Sequence, residues 1–154
     1  MSYRSGVACL AFAAILGGCG FLDLAVNSLS YDEAQTELRR LVDDGLSAGF
    51  RGNHNIPKSQ VYDRDCGDSN EEEIYPTYEY HFPLEELGPD PDSFAARVAN
   101  YWKSQDFKLF PDDADPGISG SYAENDSFNL HVFVNRITGM ALVAGSGPCV
   151  VRPS

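Results

Sequence analysis

From Glu73 to Phe82 the chain alternates by twos, with Tyr78, Tyr80 and Phe82 set against Thr77, Glu79 and His81. Successive side chains of a strand point to opposite sides of a sheet, so this segment is committed to a strand with one aromatic and one polar face. An aromatic face of that size needs a second layer to cover it. The covering elements are legible on either side. Ser30-Tyr31-Asp32-Glu33 has the form of a capping box, with Ser30 as N-cap and Glu33 reaching back to it. Ala34, Leu38, Leu41, Val42 and Leu46 then follow at helical spacing until Gly49 can end the run. Asp90-Pro91 starts a second helix, an N-cap followed by proline at the first helical position, and its stripe is Phe94, Val98, Tyr101 and Trp102. Trp102 reads as a core anchor beneath the sheet.

Gln60 to Asp65, Phe107 to Phe110, Ile118 to Ala123, Phe128 to Asn135 and Met140 to Ala144 read as further strands. Turns fall at Glu124-Asn125-Asp126-Ser127 and Ile137-Thr138-Gly139. The order α, β, β, α and then a run of β predicts an α+β two-layer fold, with two helices packed on one face of an antiparallel sheet. Residues 30–154 suit one domain, which at that size buries roughly two thirds of its surface. No internal repeat is present.

The N-terminus has a different character. A polar start with one cation, Arg4, leads into an apolar run from Val7 to Leu16 and then to Gly17 and Gly18. That is the layout of a secretory signal. The 13 positions from Gly6 to Gly18 fall short of the roughly 20 apolar residues a membrane-spanning helix needs. The run closes in Leu16-Gly17-Gly18-Cys19, which resembles the lipobox of bacterial lipoproteins, with Gly17 a less usual residue than Ala or Ser at its place. The resemblance implies a signal peptide over 1–18, cleavage before Cys19, a diacylglyceryl thioether on Cys19 and further acylation by chains such as palmitate. Residues 19–29 would be the lipidated N-terminus and tether, and 30–154 a domain held at the extracytoplasmic face of the cell membrane. More than one acyl chain is what makes such an anchor stable, since each buried methylene adds about 0.8 kcal/mol. A helix bearing Tyr101-Trp102, a closing hairpin and a Gly147-Pro148-Cys149 end also resemble, loosely, small lipoproteins of actinobacteria, a likeness that brings no activity with it.

The formal charge of the whole chain is −12, and removing residues 1–18 leaves 10 cations against 23 acids, or −13. With no Lys/Arg cluster, nucleic acid is not an expected partner. Anionic headgroups would repel the domain, so the membrane is expected to be met through the lipid alone. Cys9 lies in the signal and Cys19 in the lipobox, leaving Cys66 and Cys149. An even remainder in an exported domain favours a disulfide between them, and no CxxC spacing supports a redox pair or metal site instead. The bond would close a loop worth on the order of 4 kcal/mol. It is expected to bring the end of the first strand beside the end of the last and to pin both sheet edges together.

His81 and His131 fall on the polar faces of their strands, and Glu79 shares that face, so an acid and two imidazoles would suit proton transfer or a metal. A solvated sheet face explains the same pattern. His54 reads as a loop residue. Acidic runs from Asp63 and from Asp112 invite a calcium reading. From Asp63, however, positions five, six and twelve of an EF-hand hold Gly67, Asp68 and Ile74, and from Asp113 Glu124 alone fits. Nucleophile elbows, HExxH helices and glycine-rich phosphate loops are missing from the sequence, and no cofactor is expected. Asn125-Asp126-Ser127 matches a glycosylation sequon but reads as a turn. The functional expectation is a non-catalytic binding or interaction module facing a protein, an envelope component or a small ligand. The alternative is a small extracytoplasmic hydrolase or metal-handling protein using Glu79, His81 and His131.

The lipobox reading makes a direct prediction. Cys19→Ala should abolish incorporation of labelled fatty acid and alter processing of the chain. A Cys19→Ala chain that still takes up label and still fractionates with membranes overturns the reading.

Overall fold

The computed structural model describes residues 29–51, 58–67, 73–112 and 115–153. The signal, Cys19, most of the tether, His54, Asp68 and Asp113 lie outside the described residues. Helix α1 spans Tyr31–Gly49 and α2 spans Pro91–Ser104. The strands are β1 (Gln60–Asp65), β2 (Glu73–Pro83), β3 (Lys108–Asp112), β4 (Ile118–Glu124), β5 (Asn129–Asn135), β6 (Met140–Ser146) and β7 (Val150–Val151), with one 3-10 turn at Leu84–Leu87. Every pairing is antiparallel. The strand order is β1-β2-β6-β5-β4-β3, with β7 also on β2. The fold is therefore α+β, two helices against one face of a seven-stranded antiparallel sheet. Among the described residues no helix is long and apolar enough to cross a membrane.

Both helices start as their sequences dictate. The capping box at Ser30 and Glu33 is formed in both directions, and the Asp90 side chain accepts from the Ser93 N–H, with Pro91 at the first position. Their apolar stripes face inward, Leu38, Val42 and Leu46 from α1 meeting Phe94, Val98 and Trp102 from α2, all fully buried; Tyr101 at the stripe's edge is half-buried. Beneath them lie Tyr78, Tyr80 and Phe82 of β2, Val132 and Val134 of β5, and Val143 of β6. The buried phenols are satisfied, the Tyr78 and Tyr80 hydroxyls bonding each other at 2.8 Å and Tyr80 donating to Asp43 of α1 at 2.8 Å.

The helices meet where α1 lacks side chains. Trp102 donates its indole N–H to the Leu41 carbonyl at 3.0 Å, lying against Gly45, while Phe94 and Val98 press against Gly49. Arg97 reaches the Gly49 carbonyl from Nε and Nη2 at 2.9 and 2.7 Å, filling an acceptor that the end of α1 leaves open.

Cys66 and Cys149 are bonded, with Cα atoms 5.9 Å apart. The expectation that the bond joins the two sheet edges is corrected. The edges are β1 and β3, at opposite ends of the sheet, whereas the bond links the β1 edge to the chain leaving β6. The reason is β7, two residues too short to show a period, which adds to the start of β2 through Ile74↔Val150 on the side opposite β1. The disulfide thus clasps the start of β2 from both flanks.

A Cβ at Gly45 would stand 2.7 Å from Trp102 Nε1 and 3.0 Å from its Cε2. Alanine gains about 1 kcal/mol of helix propensity over glycine, but overpacking a rigid indole costs about 1–3 kcal/mol. Gly45→Ala should therefore lose stability by urea denaturation, and part of the loss should vanish in combination with Trp102→Phe. A stabilised Gly45→Ala would show that the indole is free to move.

Candidate functional site

Among the described residues the helices cover one face of the sheet and leave the other open, and register defines it, since directly paired residues project to the same side. Glu79, Ala144, His131 and Tyr122 pair successively across β2, β6, β5 and β4 to form one transverse row. The next row towards β7 is Tyr62, Thr77, Ser146, Asn129 and Glu124, and the next the other way is His81, Leu142, Phe133 and Gly120. Arg64 and Tyr75 pair at the β1–β2 end.

Glu79, His81 and His131 all lie on this open face, as their alternation predicted. They do not form one constellation. His81 Nε2 is 3.0 Å from Glu79 Oε1 on the same strand, and the other Glu79 oxygen accepts from the Tyr62 hydroxyl at 2.9 Å. His131 stands across β6, about 10 Å away over two strand spacings. Its ring is stacked on Phe133 and set edge-on to Tyr122, with centroids at 5.4 and 5.9 Å. Burial holds the His131 imidazole below its ordinary pKa of 6.5; Glu79 works against that, and Arg64 and His81 reinforce it. Among the described residues no group of three His, Cys, Asp or Glu side chains is placed to hold a metal ion.

A hollow of about 680 Å³ opens on this face next to the disulfide. One bank is Tyr62, Arg64 and Tyr75, and the other is the β4–β5 turn with Asn129 and His131. Thr77 and Ser146 lie between the banks, and Pro148 and Cys149 bound the end. Arg64 lies over the Tyr62 ring, 5.2 Å from its centroid, and donates to the Tyr62 hydroxyl at 2.9 Å. The opposite bank is shaped by Asn125, whose Oδ1 accepts from the Ser127 and Phe128 N–H groups at 2.9 and 2.7 Å. Thr77 is 6% exposed and among the described residues its hydroxyl has no hydrogen-bond partner, a condition that costs about 1–3 kcal/mol. A second, more apolar hollow of about 370 Å³ follows towards the β5–β6 hairpin, where His81, Tyr122, Phe133, Met140 and Leu142 line it.

Sequence reasoning missed the Tyr62–Arg64–Tyr75 bank. The alternation of β2 carries the signal for Tyr75 and Thr77, but β1 has no apolar face to orient it. The acidic runs serve other ends. Asp63 accepts from the Tyr31 hydroxyl and Asp65 pairs with Arg152, both at 3.0 Å, and the segment from Ile118 is strand, not a calcium loop.

No family model matches this chain, and neither does any curated protein. Among solved structures, the candidate lipoprotein LppA from Mycobacterium tuberculosis is similar to it over 80% of this chain and 79% of that chain, at 10% identity and a TM-score of 0.38. A likeness that distant carries no functional argument.

Because His131 has a depressed pKa in the folded state, the unfolded chain takes up that proton first as pH falls. The stability at stake is fully present above 6.5 and is lost as pH drops through the lower folded value. His131→Phe should flatten the pH dependence of the urea midpoint from about pH 7.5 to about pH 5, above the range where carboxylates dominate. Parallel slopes for the two proteins would sink the assignment.

Proposed function

We propose that this chain is a lipid-anchored domain at the extracytoplasmic face of the cell membrane and that it works as a non-catalytic binding module through its open sheet face. The lipobox-like Leu16-Gly17-Gly18-Cys19 supports the anchor, and the disulfide fits an oxidising compartment. The observation that carries the binding reading is the uncovered face itself. Both helices lie on the other side, and what the described residues leave bare is a trough lined by tyrosines, Arg64 and small polar side chains rather than a uniformly charged, solvated surface. Acidity elsewhere keeps the domain soluble and away from anionic headgroups.

The alternative, a hydrolase or metal-handling protein using Glu79, His81 and His131, draws support from the Glu79–His81 contact at 3.0 Å. Against it, Glu79 is also engaged by Tyr62, and His131 packs among rings two strands away.

A photoreactive phenylalanine placed at Tyr62 or Ser127 in intact cells should yield crosslinked species, while the same residue at Thr36 or Asn100 on the helical layer should not. Crosslinks from the helical positions with none from the sheet would overturn the assignment of the binding surface.

A further inference from the structure

We propose that the trough between the Tyr62–Arg64–Tyr75 bank and the β4–β5 turn binds an uncharged oligosaccharide. The proposal rests on reading the open face as the binding surface and adds the chemistry of what occupies it.

Charge narrows the choice first. Among the described residues Arg64 is the one cation lining the trough, and Glu79 and Asp126 line it too. An anionic ligand would meet two acids for one cation, in a chain of net charge −12. A cationic ligand would find the Glu79 carboxylate already taken, one oxygen by Tyr62 and the other by His81, which leaves Asp126 on the turn offset by Arg64 on the facing bank. The lining suits a neutral ligand.

The polar groups narrow it further. Tyr75, Thr77 and Ser146 carry hydroxyls that donate and accept, and Asn129 carries an amide that does both from one plane. A sugar ring presents the matching surface, a rim of hydroxyls that each donate and accept. Its other surface is a face of C–H groups, which packs against the electron-rich faces of aromatic rings. Tyr75 on one bank and His131 on the other supply such rings, and burial among Tyr122 and Phe133 keeps His131 uncharged near neutral pH. Thr77, buried in the floor with no partner for its hydroxyl, is a group whose hydrogen bonding a ligand would complete.

Shape agrees. The four strands from β1 to β5 in the sheet set the width at about 14 Å, and the volume of about 680 Å³ falls within the roughly 300–1,000 Å³ of small-ligand sites. A trough on a sheet face holds an elongated chain of few rings better than a compact molecule, the arrangement by which other sheet faces take up oligosaccharides.

The test is saturation-transfer NMR on the full chain in micelles of a sugar-free amine-oxide detergent. The probes are maltotriose, cellotriose, mannotriose and chitotriose, with trigalacturonate as the charged counterpart. At least one neutral probe should take up saturation, with trigalacturonate silent. Tyr75→Ala should abolish the transfer, and Ile137→Ser, on the exposed β5–β6 turn, should leave it unchanged. Thr77→Val is the variant that separates binding from folding. It should weaken affinity about tenfold by removing one hydrogen bond, while the melting temperature holds or rises because an unpaired hydroxyl has been replaced by a methyl. Silence from every neutral probe, or transfer undiminished in both Tyr75→Ala and Thr77→Val, overturns the proposal. If the sugars are silent but the Tyr62 photoprobe still gives protease-sensitive crosslinks, the ligand class is wrong and the open face stands. If both are silent, the two readings fall together.

Discussion

Trp102 and the bare stretch of α1 beside it set the geometry on which everything else hangs. Gly45 and Gly49 stand one helical turn apart, so α2 can press its largest side chains directly onto the α1 backbone. The indole then has one way to avoid burying an unpaired N–H, which is to donate to the Leu41 carbonyl. Arg97 locks the same seam at its other end through the Gly49 carbonyl. Two helices fixed in this manner form a rigid slab, and the strands pack beneath it with Tyr80 tied to Asp43 and Phe82 wedged between Phe50 and Phe94.

A slab on one side leaves the other side of the sheet to its own devices. There the side chains must satisfy one another across rows, and mostly they do. Tyr62, Arg64, Glu79 and His81 form a continuous chain of hydrogen bonds over β1 and β2, and Tyr122, His131 and Phe133 share ring contacts over β4 and β5. Between these two groups runs β6, which contributes the small Ala144 and Ser146 to the two rows nearest the disulfide and Leu142 to the next. A low central strand between two raised banks is what makes a trough out of a flat sheet, and Thr77 at its base is left without a partner.

Much of this architecture was legible because its elements obey local rules. Ser30, Glu33, Asp90 and Pro91 mark both helix starts, and the alternation of Tyr78, Tyr80 and Phe82 orients β2 before any neighbour is known. The cysteine pairing followed from the cysteine count and from the compartment that the lipobox resemblance implies. What stayed hidden depends on contacts distant in sequence. Nothing local says that β2 lies between β1 and β6, so neither the distance from His81 to His131 nor the bank formed by Tyr62 and Arg64 could be read from spacing. The two residues of β7 escaped for want of length, and with them the true path of the disulfide.

The pleat of β2 interleaves two sets of demands on one stretch of chain. Its even-numbered residues, Ile74, Tyr78, Tyr80 and Phe82, are spent on the core, and the odd-numbered Tyr75, Thr77, Glu79 and His81 look outward. Substitutions in the second set leave the first untouched, provided no residue is gained or lost, since a single insertion would exchange the two sets. Ligand preference can therefore drift between descendants of this sequence without disturbing the aromatic core, while length polymorphism within the strand is closed to them.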